Sequence, residues 1–166
     1  LVSDPRLGAA AFTGSRSAGM ALKAAADTVG KPIYLEMSSV NPVVILPGTL
    51  DERFDDVVTE LTTSALMGAG QFCTNPGIVL VEAGAAAERF IATLGEKYAA
   101  APSGTLLGKG VVEGLEAGLP VVTSAGASLV AGGGKAEREG CAWSNTLLRA
   151  TGKQFMDAPE ALQTEL

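Results

Sequence analysis

Gly70-Gln71-Phe72-Cys73-Thr74-Asn75-Pro76-Gly77-Ile78-Val79-Leu80-Val81-Glu82 puts a cysteine in a loop punctuated by glycine and proline and then runs into aliphatic residues. The run over residues 77–82 (GIVLVE) reads as a buried strand. Upstream, Phe54, Val57, Val58, Leu61 and Ala65 fall on one face at helical spacing, and Thr49 and Glu52 have the separation of a capping box. That helix is expected to stop near Gly68 or Gly70. Downstream, Phe90, Leu94 and Tyr98 recur every four residues and predict a helix over residues 85–100. Helix, loop, strand and helix thus follow one another around the cysteine.

The same alternation extends to both sides. Residues 7–13 read as a short buried strand, and residues 15–29 as an alanine-rich helix ended by Gly30 and Pro32. Residues 33–37 and 42–46 are short apolar runs with β-branched members, read as strands. Beyond residue 100 a loop over 102–108, a short helix over 111–117 and Gly-rich turns are expected. Strands at 128–131 and 146–149 and a last helical turn at 158–163 complete the pattern. Gly132-Gly133-Gly134 precedes charged residues rather than an apolar helix, so it reads as a turn and not as a phosphate cradle. Alternating strands and helices imply an α/β fold, a mostly parallel sheet with flanking helices.

Composition narrows the function. The 166 residues are 47% hydrophobic and 18% charged, which is globular and not disordered. A net charge of −6, without a basic run, leaves no electrostatic footprint for nucleic acid. No apolar run approaches the roughly 18 to 20 residues that span a bilayer, so no membrane partner is expected. Residues 1–8 have neither the basic start nor the apolar middle of a signal peptide. Two cysteines are too few for a disulfide framework and point to a reducing compartment, the cytoplasm. The absence of histidine removes Ser-His-Asp and Cys-His catalysis within this chain, and nearly every common zinc site, so no metal is expected.

Three places could carry chemistry. Cys73 lies in a loop held by regular elements, where a thiolate can act as nucleophile with backbone N–H groups around it, or else it is a small buried hydrophobe. Cys141, in the charged stretch EREGCAW, has less to recommend it. Glu36, in Tyr34-Leu35-Glu36-Met37-Ser38-Ser39, would sit at a strand end, as a general base with a raised pKa or as a plain exposed carboxylate. Phe12-Thr13-Gly14-Ser15 joins a strand to a helix N-terminus, either as an anion site or as a simple serine cap.

In this order, FTGS, a strand ending in glutamate, and GQxC resemble the aldehyde dehydrogenase superfamily. Ser15 precedes Glu36 by 21 positions and Glu36 precedes Cys73 by 37, which fits as well. The resemblance runs from about residue 10 to residue 166 and is loose over 104–126. It implies that Cys73 attacks an aldehyde to form a thiohemiacetal, that hydride loss leaves a thioester, and that Glu36 activates the hydrolysing water. It further implies NAD or NADP as cofactor, with Ser15 at the pyrophosphate, Gly14 toward the nicotinamide, and Glu165, in the closing LQTEL, at the ribose.

Glu36-Met37-Ser38-Ser39-Val40-Asn41-Pro42 departs from the family's usual pair of glycines. With Cys73-Thr74-Asn75-Pro76-Gly77 it is similar to the α-ketoglutarate semialdehyde (2,5-dioxopentanoate) dehydrogenases. The resemblance makes residues 1–37 the end of a dinucleotide-binding domain and 38–166 part of a catalytic domain, about a third of a family member. A small aldehyde is the implied substrate, and the parent protein is expected to be a homo-dimer or tetramer, with the isolated piece inactive. A CoA-acylating relative and a silent, fold-only interaction module are the competing readings. A thioester-transferring enzyme needs no water-activating base, so Glu36 favours hydrolysis.

Overall fold

The computed structural model describes residues 1–166, and the chain divides into two units, Leu1–Ser39 and Val40–Leu166. In the first, β1 (Ala10–Gly14) and β2 (Ile33–Met37) pair in parallel, with Thr13 opposite Glu36 and Gly14 opposite Met37. Parallel neighbours need a crossover, and α1 (Arg16–Asp27) provides it. Ser15, in extended conformation, caps the helix by accepting from the Ala18 N–H at 3.4 Å. At the other end Gly30, at φ 62°, turns the chain toward Pro32. Gly19 seats the helix closely, because a Cβ there would fall 2.5 Å from Met37 Sδ. Before β1, Lys31 Nζ gathers the Val2 and Asp4 carbonyls at 2.6 and 2.5 Å.

The second unit carries the larger core. β3 (Asn41–Ile45) pairs in parallel with β4 (Pro76–Val81). Between them run α2 (Thr49–Glu52), α3 (Phe54–Leu66) and a 3-10 turn (Met67–Gly70). Ile45, Leu50, Val58 and Leu61 pack with Phe90 and Leu94 of α4 (Ala85–Ala100). Phe90 is 1% exposed, and burial of such a side chain contributes roughly 2–3 kcal/mol. Phe54 meets it edge-on, centroids 6.3 Å apart, and the Arg89 guanidinium lies 3.7 Å from the Phe54 ring centroid. Beyond α5 (Lys109–Ser124), β5 (Ser128–Ala131) and β6 (Leu147–Arg149) pair antiparallel, and α6 (Gly152–Asp157) and α7 (Pro159–Leu162) follow. No helix is long and apolar enough to cross a membrane.

The mixed α/β architecture with parallel strand pairs agrees with the sequence, while several local expectations are corrected. Thr49 and Glu52 form no capping box. Gly48, in left-handed conformation, takes the cap position, and the chain breaks at Arg53 (φ −135°) before α3 begins. The helix expected over 111–117 runs from Lys109 to Ser124 and contains Pro120, with Val112, Gly118 and Val122 buried along it. The expected first strand starts at Ala10 rather than residue 7 and has one open face, as does β2, where Tyr34 is 70% exposed. Helix α6 was not anticipated at all.

Candidate active site

The cysteine loop begins in strained backbone. Gly68, Ala69 and Gly70 all have positive φ, at 59°, 58° and 76°, and Ala69 is the non-glycine among them. A side chain held there costs about 1–2 kcal/mol. Packing fixes the bend, since a Cβ on Gly104 would approach Ala69 Cβ to 2.5 Å. Cys73 follows in an exposed turn closed by the Asn75 N–H donating to the Phe72 carbonyl at 3.0 Å. Neither Cys73 nor Cys141 forms a disulfide.

Two side-chain amides grip this loop from its flanks. Asn41 Nδ2, at the start of β3, donates to the Cys73 and Asn75 carbonyls, both at 2.9 Å. Gln71 Nε2 donates to the Gly68 carbonyl at 3.0 Å and the Thr105 carbonyl at 3.2 Å, while its Oε1 accepts from the Leu107 N–H at 2.7 Å. Asn75 Oδ1 is buried with no hydrogen-bond partner. Asn41 and Gln71 lie inside the sequence motifs, but their grip on the loop is not among the sequence expectations. An amide-bearing residue opening a strand, and another inside a glycine-framed loop, were the available signals.

Glu36 lies in the first unit, exposed on β2 one residue before the strand ends. Gly14 ends β1 and Ser15 caps α1. The first turn of α1 has no acidic residue and opens with Arg16. Exposed amides, the positive end of a helix and an adjacent cation fit the anionic part of a dinucleotide. Glu165 is exposed in the second unit, in the segment after α7, where a Cβ on Gly118 would meet Leu166 at 2.6 Å. Gly14, Ser15 and Glu36 therefore belong to Leu1–Ser39, and Cys73 and Glu165 to Val40–Leu166. Asp, Glu and Cys side chains nowhere converge in a group of three that could hold a metal ion.

The family model for aldehyde dehydrogenases matches residues 1–156, and the chain belongs to that family. Over 161 residues it is 37% identical to alpha-ketoglutaric semialdehyde dehydrogenase 2 of Azospirillum brasilense, covering 96% of this chain and 31% of that protein. It is also 37% identical over 121 residues to an alpha-ketoglutaric semialdehyde dehydrogenase of Acinetobacter baylyi, covering 72% of this chain and 23% of the relative. Among solved structures, lactaldehyde dehydrogenase from Escherichia coli superposes with a TM-score of 0.77 at 25% identity, over 89% of this chain and 32% of that one. Betaine aldehyde dehydrogenase from Staphylococcus aureus shares the fold, with a TM-score of 0.82 at 20% identity over 98% of this chain and 34% of that one. The chain spans about a third or less of the length of the relatives it matches.

Proposed function

We propose that this chain carries the nucleophile and base of an NAD(P)-dependent dehydrogenase that oxidises α-ketoglutarate semialdehyde to its carboxylic acid. The observation that carries the reading is the 37% identity to alpha-ketoglutaric semialdehyde dehydrogenase 2 of Azospirillum brasilense over 96% of the chain. The motifs around Ser15, Glu36 and Cys73 point the same way.

In this mechanism the Cys73 thiolate adds to the aldehyde carbon, forming the C–S bond of a thiohemiacetal. NAD or NADP, when bound, supplies the hydride acceptor for oxidation of that carbon to the thioester. Ser15 would hold the pyrophosphate at the N-terminus of α1, Gly14 would lie toward the nicotinamide, and Glu165 would accept hydrogen bonds from a ribose. Glu36 then takes a proton from water as the water oxygen attacks the thioester carbonyl, and the C–S bond breaks to return the thiolate and release the acid.

The test is NAD(P)H formation from a panel of aldehydes by the natural full-length protein. Cys73→Ala abolishes turnover, whereas Glu36→Gln gives a burst of reduced cofactor close to one per site and then stalls at the thioester. Turnover that survives Cys73→Ala would sink the mechanism. Preference for another aldehyde would remove the substrate assignment.

A further inference from the structure

We infer that Asn41 and Gln71 are positioning residues that together fix the backbone of the Cys73 loop and so aim its thiol. The inference rests on Cys73 being the nucleophile. A loop presenting a reacting atom must hold it to within a fraction of an ångström, because a misplacement of about 1 Å costs as much as 100-fold in rate. Here the loop leaves the strained run Gly68–Gly70 and enters β4 at Pro76, which has no N–H to donate. Side chains supply what the backbone pairing lacks.

Each amide is used to capacity as a donor. Both N–H bonds of Asn41 Nδ2 go to loop carbonyls, those of Cys73 and Asn75, so one planar group fixes two peptide planes around Thr74. Both N–H bonds of Gln71 Nε2 go to carbonyls as well, one before the loop at Gly68 and one across from it at Thr105. Its Oε1 closes the set on the Leu107 N–H. Asn41 anchors the loop to strand β3, and Gln71 anchors its leading edge to residues 105–107. The cysteine sits between the two anchors.

Asn145 provides a matched control. Its Nδ2 donates to the Tyr98 and Ala101 carbonyls at 3.3 and 3.0 Å, the same chemistry at the end of α4. Replacing any of the three by its acid keeps the shape but turns a double donor into a carboxylate facing carbonyl oxygens.

In the natural full-length protein, Asn41→Asp and Gln71→Glu are each expected to lower kcat for the aldehyde at least about tenfold with KM within about twofold. Amide exchange over residues 71–75 should accelerate in both. Asn145→Asp should leave kcat and that exchange near wild type, even where it lowers the melting temperature as much. Gln71→Glu carries the test alone should Asn41→Asp fail to fold. Wild-type kcat in a folded variant, or an equal kcat loss in Asn145→Asp, overturns the positioning role. Cys73→Ala, run alongside, separates the two ideas: retained turnover there defeats the nucleophile assignment. Lost turnover in Cys73→Ala with wild-type kcat in the amide variants defeats the positioning role alone.

Discussion

The two units repeat one local plan, a parallel strand pair joined through helix, and differ in what fills the space beneath the helix. In Leu1–Ser39 the buried residues of α1 are Gly19 and Ala26. In Val40–Leu166 helix α3 buries Val58, Leu61 and Ala65, and α4 adds Phe90 and Leu94. The first unit is therefore held by backbone pairing, close helix–strand approach and polar ties such as Lys31 to the Val2 and Asp4 carbonyls. The second is held by apolar burial. Equal secondary structure does not mean equal packing energy, and the unit with the denser core is the one that presents the strained cysteine loop.

The sharpest way to break this contrast is Phe90→Ala. It should cost about 3–5 kcal/mol in the second unit, read by urea unfolding through the fluorescence of the lone Trp143. A cost below about 1 kcal/mol would mean that the core around Phe90 is not what holds the unit together. Ala26→Gly probes the first unit at its most buried side chain, 0% exposed. Only about 1 kcal/mol should be lost there, mostly helix propensity, as measured by amide exchange within α1. A loss of 3 kcal/mol or more would reveal a packing contribution that the contrast denies.

A smaller effect sharpens the polar side of the comparison. Asp4 accepts side-chain and backbone hydrogen bonds from Arg6, which bring its pKa down from 3.8 to about 2. A depressed carboxyl pKa contributes stability that is complete above the ordinary value and fades as pH falls through the folded one. The Asp4 tie should thus be insensitive between pH 7 and about 4 and loosen between about 4 and 2. Carbon-13 titration of the Asp4 carboxyl checks this, and Arg6→Ala should return its midpoint toward 3.8.

Much of this was legible in the sequence where a local pattern and the tertiary environment agree. Residues 33–37 and 85–100 have the bounds their patterns predict, because alternation in the first and four-residue spacing in the second coincide with the buried face. Thr49 and Glu52 misled because a capping box is only a spacing, and Gly48 reached the cap position first by adopting a backbone open to glycine. The true box, Thr151 with Gln154, lay unread in a stretch lacking apolar periodicity. Helix α5 outruns the expected residues 111–117 through Pro120, because proline removes only one N–H and burial of Val122 beyond it carries the helix on. At the candidate site the residue types could be read, but the anchoring of the cysteine loop could not. Asn41 and Cys73 are 32 positions apart, and side-chain-to-carbonyl bonds leave no periodic trace.

The bend before Cys73 also constrains how the sequence can drift. Ala69 and Gly104 share room for a single methyl group, since the Cβ that Gly104 lacks would come within 2.5 Å of the one that Ala69 has. The two sites should behave epistatically. Gly104→Ala is harmful beside Ala69 yet acceptable once Ala69→Gly has vacated the space, and that first change also relieves the left-handed backbone. A lineage can exchange which position bears the methyl, but only by passing through the intermediate with glycine at both.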